Sequence, residues 1–303
     1  MKQALSRLKP YLRLVILGAT LFFLGGALRQ NWEDIATIQL HSREWTYIGL
    51  ALAVTLIAQS WAGWVWGWIL KEFNQPVDMV WATRTFLTTN IAKYLPGNVW
   101  HFYQRITAAK ESDIAVEAAT LSVVMEPLLM AASALAIGLV GVESGTRGIQ
   151  AFSVVVVAIG IHPQVLNPIA QRLSRAKSKM FSESGEEEYF EISRYPLRPW
   201  LGELGFLILR GTGFLLVVSA VGSFEPEEIP LLVGAFSLAW LLGLVVPGAP
   251  GGMGVFEASA LVMLEQHFST GTILSSVALY RAISILAESG GAGLAHLDRY
   301  VRG

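Results

Sequence analysis

Cysteine is absent from all 303 residues, which excludes disulfides, thiolate nucleophiles and Cys-ligated metals. Charge is scarce: Asp, Glu, Lys and Arg make up 15% of the chain, where a soluble domain carries about 25%. The net charge is -1, so no basic field points to nucleic acid as a partner. Histidine is rare as well. His41, His162, His267 and His296 are scattered with no metal-ligand spacing. No H-E-x-x-H, G-x-S-x-G or P-loop pattern occurs, so neither catalysis nor a cofactor is expected. Polar sequence is short too. Its longest stretch, about Gln171–Arg198, is too small for a soluble domain.

Apolar sequence fills the remainder: 53% of residues are hydrophobic and the mean hydropathy is +0.50. Long apolar runs with little charge predict membrane spans over Leu14–Leu28, Thr46–Leu70, Ala115–Val140, Ile149–Val165, Trp200–Val221 and Gly271–Leu297. The first follows Lys2, Arg7, Lys9 and Arg13 and reads as an uncleaved span. Trp61, Trp64 and Trp68 share one helical face, as an aromatic belt or a packing stripe would.

Two segments interrupt this pattern. Val246–Glu257 holds two prolines and four glycines directly after the apolar run Ile229–Val246. Proline has no N–H and glycine no Cβ, so no helix passes cleanly through. Lys93-Tyr94-Leu95-Pro96-Gly97-Asn98-Val99-Trp100 has the same Pro-Gly core, between Met79–Tyr94 and Val99–Ala109, both too short and polar for spans. Broken backbone at membrane depth survives only inside protein or around a water-filled cavity. Both segments therefore predict re-entrant hairpins, with tips at Pro96 and Gly97 and at Pro247, Gly248, Gly251 and Gly252. Pro96 lies 25 residues after Lys71, and Pro247 lies 25 after Gly222, both predicted span ends. The expected fold is an all-α polytopic membrane protein, a single membrane domain over 1–303. It has about six transmembrane spans plus two re-entrant helical hairpins in an inverted repeat of units about 12–141 and 148–297, with a cytoplasmic linker about 171–198.

Ionisable residues fall at membrane depth around the two breaks. Arg84, Lys93, His101 and Arg105 flank the first, and Glu257 the second. Glu126, Arg210, Arg281 and Glu288 lie on neighbouring spans. Each is costly there unless it faces a partner or a cavity. Two readings stand: mutual pairing that pins helices, or a polar cavity whose cations hold an anionic headgroup. The second puts Lys93, Asn98, His101, Arg105, Glu126, Arg210, Glu257 and Arg281 at a substrate site. On that reading the acids are too few to neutralise every cation, and bound phosphate makes up the deficit.

Lys93-Tyr94-Leu95-Pro96-Gly97 with Arg105, together with Val246-Pro247-Gly248-Ala249-Pro250-Gly251-Gly252-Met253-Gly254-Val255-Phe256-Glu257, resembles the lysylphosphatidylglycerol synthase/flippase transmembrane-domain family over nearly the whole chain. The resemblance implies handling or translocation of a lipid across the bacterial inner membrane. It carries over to the tips and Glu257, and more weakly to Lys93 and Arg105. The soluble aminoacyl-transferase domain of two-part members has no counterpart here, so lysyl transfer is not expected.

The leading expectation is a flippase moving a phospho- or glycolipid between leaflets. The alternatives are a lipid-presenting subunit of a membrane glycosyl- or aminoacyl-transferase system, or a proton-coupled small-anion carrier. Membrane lipids are the expected partners, with a homo-oligomer or a lipid-modifying enzyme possible beside them. Lys and Arg placement puts both termini, Lys71–Asp78 and Gln171–Arg198 in the cytoplasm, with Arg29–Trp45 and Glu225–Glu228 outside. The chain has no native Cys, so single-cysteine labelling tests this directly. In intact cells Glu227→Cys should react with an impermeant maleimide and Ser182→Cys should not. The opposite pattern refutes the topology.

Overall fold

The computed structural model describes residues 42–95, 99–141, 147–160, 162–165, 167–168, 172, 195–246, 250–252 and 254–302. Among these residues there is no strand. Nine α-helices are bounded: α1 Ser42–Glu72, α2 Met79–Asn90, α3 Trp100–Lys110, α4 Val116–Gly141, α5 Arg147–Gly160, α6 Leu197–Val221, α7 Ile229–Val245, α8 Val255–Leu264 and α9 Thr270–Arg302. Five are long and apolar enough to cross a membrane: α1, α4, α6, α7 with the turn before it (Pro226–Val245), and α9 over Thr270–Asp298. The protein is an all-α multi-pass membrane protein.

Four of the six expected spans are among these five. The expected span Leu14–Leu28 lies outside the described residues. The fourth, Ile149–Val165, is corrected: its helix α5 covers Arg147–Gly160, 14 residues. At about 1.5 Å per residue that is about 21 Å, short of a hydrocarbon core about 30 Å thick. The fifth long helix, α7, is the first arm of the second broken segment. That segment is therefore unequal, with a spanning arm and a 10-residue arm, α8.

The breaks follow from local chemistry. Asp78 caps α2 by accepting the Trp81 N–H at 2.8 Å. Inside α2 the hydroxyls of Thr85's neighbours turn inward on their own helix. Thr88 Oγ1 donates to the Arg84 carbonyl at 2.9 Å, and Thr89 Oγ1 to the Thr85 carbonyl at 2.7 Å. The helix so supplies its own polar partners. A 3-10 turn, Ile91–Tyr94, carries it to Leu95, which is extended at φ -71, ψ 147. Pro96 dictates this, because its ring clashes with a helical residue before it. Val246 ends α7 in the same way, extended at φ -70, ψ 115 ahead of Pro247. Beyond it Gly251, Gly252 and Gly254 take positive φ (59, 74 and 82), a region that a Cβ makes costly. The predicted tip residues Pro96, Gly97, Asn98, Pro247 and Gly248 lie outside the described residues, as does most of the 171–198 linker.

Small residues bring the helices together, as they do where lipid supplies no hydrophobic drive between helices. Gly63 and Gly67 of α1 face α2, and Gly202 and Gly213 of α6 face α1. Trp61 donates its indole N–H to the Gly202 carbonyl at 2.8 Å and meets Trp68 edge to face, so the Trp61/Trp68 face is a packing stripe. Three packing pairs have counterparts when the two halves are exchanged. α1 packs on α2 as α6 does on α7, α3 on α4 as α8 on α9, and α4 on α7 as α9 on α2.

The closest approach joins α4 to α7, where Gly141 lies against Gly234 and Pro230. A Cβ on Gly234 would sit 2.8 Å from the Gly141 Cα, and backbone cannot step aside. Gly234→Val should cost about 1–3 kcal/mol and lower the unfolding temperature of the purified protein. Gly49→Ala, whose Cβ would meet nothing within 4 Å, should leave it unchanged or slightly raised. Equal melting of wild type and Gly234→Val would show that the contact is slack.

Candidate functional site

The two broken segments meet in the middle of the helix bundle. The Tyr94 ring lies on Gly251, where a Cβ would come within 2.8 Å of it. Beside this contact is a cavity of about 120 Å³, room for several waters. Lys93, Tyr94, His101 and Arg105 reach it from the first segment, and Gly251, Gly252 and Phe256 from the second. Gln59, Glu126, Arg210, Arg281 and Glu288 come from α1, α4, α6 and α9. Phe86, Met130, Phe206, Trp240 and Leu244 complete it with apolar surface.

Three charged groupings surround this space. In the first, Glu288 of α9 accepts from Lys93 Nζ at 2.7 Å and Gln59 Nε2 at 3.0 Å, all on one oxygen, Oε1. Arg210 Nη1 stands 3.9 Å from the same atom. Asn90 donates to Gln59 Oε1 at 3.2 Å and so fixes the amide. Two cations thus share one carboxylate. Among the described residues the Nε and Nη1 of Arg210 and the Oε2 of Glu288 have no hydrogen-bond partner, although all are buried. The Arg210 guanidinium lies 5.2 Å from the Tyr280 ring centroid.

In the second, Arg105 of α3 is 1% exposed and pairs with Glu126 of α4. Its guanidinium lies 4.0 Å from the Phe86 centroid, a cation–π contact inside apolar packing. Trp66 adjoins it, stacked on Trp81 and donating to Ser122 Oγ at 3.0 Å. His101, one turn before Arg105, is buried, with Nδ1 unpartnered among the described residues.

The third grouping holds the second tip. Arg281 Nη1 donates to the Gly251 carbonyl at 2.5 Å, and Nη2 to the Gly252 carbonyl at 3.3 Å. Nε and Nη2 both reach Glu257 Oε1, at 3.1 and 2.8 Å. The other Glu257 oxygen accepts the Gly254 N–H at 2.6 Å, at the start of α8.

The structure thus gathers Lys93, His101, Arg105, Glu126, Arg210 and Arg281 around one cavity. Glu257 does not line it but backs Arg281. Asn98 lies outside the described residues. Glu288, noticed in the sequence only as one more charge within a span, is the hub of the first grouping. Its missed signal is the turn spacing Arg281, Ser284, Glu288, which aims all three from one face of α9. The expected shortage of acids is local rather than general, since two cations share Glu288. Glu126, Glu203, Glu257 and Glu288 match Lys93, Arg105, Arg210 and Arg281 in number. Among the described residues no three His, Asp or Glu side chains gather as a metal site.

A bundle of membrane helices, interrupted twice around a charged internal cavity, defines a polytopic membrane domain with a built-in polar site. The chain belongs to the family described as the lysylphosphatidylglycerol synthase TM region, whose model matches residues 11–288. A comparison with curated proteins found no match.

Arg281 is committed to the tip, and this separates its role from that of Lys93. Arg281→Gln should lower the unfolding temperature more than Lys93→Gln does, and Arg281→Lys should not restore it. A lysine cannot span two carbonyls and a carboxylate with a planar fork. Melting curves of the three purified variants decide this, and an Arg281→Gln protein as stable as wild type would refute it.

Proposed function

We propose that this domain carries a lipid with an anionic, phosphate-bearing headgroup between the leaflets of a bacterial inner membrane, with Lys93 and Arg210 as its phosphate ligands. One observation carries the reading. Two cations lean on the single oxygen Glu288 Oε1, and Arg210 keeps buried N–H groups unpartnered beside the cavity. A phosphate would accept from those donors and relieve the local excess of positive charge. His101 Nδ1 offers a further polar contact. Arg105 and Arg281 are already paired and serve as framework.

The matched packing pairs support two similarly built units, and the Lys and Arg placement supports their opposite orientation, as alternating access requires. Family membership supports a lipid as cargo, since a lysylphosphatidylglycerol synthase acts on one. The chain has no nucleotide motif, so transport runs without hydrolysis of its own. A separate lipid-modifying enzyme, or a second copy of this chain, completes the assembly on this reading.

Proteoliposomes holding only this protein and a fluorescent phosphatidylglycerol test it. Wild type should speed the exchange between leaflets over empty liposomes. Arg210→Gln and Lys93→Gln should each slow it about tenfold or more, the equivalent of one lost hydrogen bond to a charged group. Wild-type rates equal to those of empty liposomes, or full activity in the double variant, would sink the proposal.

A further inference from the structure

Glu203 belongs to none of the three groupings. It is 0% exposed on α6, and neither carboxyl oxygen has a hydrogen-bond partner among the described residues. Phe206 and Arg210 follow at the spacing of one helical face, and both line the cavity. Glu203 is therefore one helical turn from a cavity-lining residue without lining the cavity itself. The charges acting on it are Glu126 of α4 and Arg105 of α3. Neither α1 between Trp45 and Leu70 nor any part of α7 carries a charged residue. The charges of α9 that reach this depth, Arg281 and Glu288, are engaged at the second tip and with Lys93.

An ionised carboxylate without a partner in such a place is among the costliest arrangements a protein can hold. Arg105 acts on it only from a distance: its Nη1 is taken by Glu126, and Glu203 receives no hydrogen bond from it. We propose that Glu203 is a proton-binding site linked to the cavity through the Arg105–Glu126 pair. The proton comes from water in the cavity, forms an O–H bond on the carboxyl group, and returns to that water when Glu203 ionises. Loading has a consequence that rests on the lipid reading above. With Glu203 neutral, four buried cations face three carboxylates, and the surplus charge favours an anionic headgroup. By reciprocity a bound headgroup favours the loaded state.

Infrared difference spectra of the protein in nanodiscs, between acidic and alkaline buffer, test the site without any transport. Wild type should show the C=O stretch of a protonated carboxylic acid, lost as pH rises, and Glu203→Gln should lack it. Glu126→Gln removes a negative neighbour and frees Arg105, so the band should disappear at lower pH than in wild type. A band unchanged by Glu203→Gln overturns the proton site. A midpoint unmoved by Glu126→Gln overturns its link to the cavity. A second readout is retention of phosphatidylglycerol by native mass spectrometry. Wild type should lose about tenfold in affinity on alkalinisation and Glu203→Gln should not. If wild type retains no such lipid at any pH, the lipid reading fails, while the infrared result still decides the proton site.

Discussion

Charge at membrane depth has to be compensated, and the site is arranged around that constraint. Lys93, Arg105, Arg210 and Arg281 come from four different elements, and each has a carboxylate within reach on another helix. Removing one partner from such a pair leaves the other ion stranded in a poor solvent for it. The pairs therefore act as long-range staples across a bundle whose other contacts are small-residue and apolar. They are not equally satisfied. Arg281 is saturated by the tip, Arg105 is held by one acid and two aromatic faces, and Arg210 shares an acid already taken by Lys93. That gradient separates framework from site.

Much of the backbone was legible in the sequence, because its determinants are local. Pro96 and Pro247 force the residues before them to be extended, so helices ending at Tyr94 and Val245 could be read from two letters each. Long apolar runs with few charges similarly marked α1, α4, α6 and α9. Length misled where apolar sequence was continuous. Ile229–Val246 was read as one arm of a re-entrant hairpin, yet α7 with its preceding turn reaches a spanning length. Ile149–Val165 looked like a span, yet α5 ends at Gly160.

The pairing of the charges was much less legible. Lys93 and Glu288 are 195 positions apart, and Gln59 and Glu288 229 apart, so no window of sequence contains either pair. Which face of α9 meets which face of α1 depends on the three-dimensional packing of glycines and tryptophans that are individually unremarkable. The residue types at the site could be named, because ions in apolar sequence stand out. Which cation pairs with which acid could not.

The four hydrogen bonds from Arg281 to Gly251, Gly252 and Glu257 have a mechanical meaning. They fasten the second break and the start of α8 to α9, so these parts travel as one lever. The first break meets that lever at the ion pair from Lys93 to Glu288 and at Tyr94–Gly251, a ring resting on backbone. Dispersion contacts of that kind reform after sliding, whereas a planar fork of donors does not. Between the two tips themselves, then, the contact is an aromatic seam at the cavity edge, and the fixed bonds lie to either side of it.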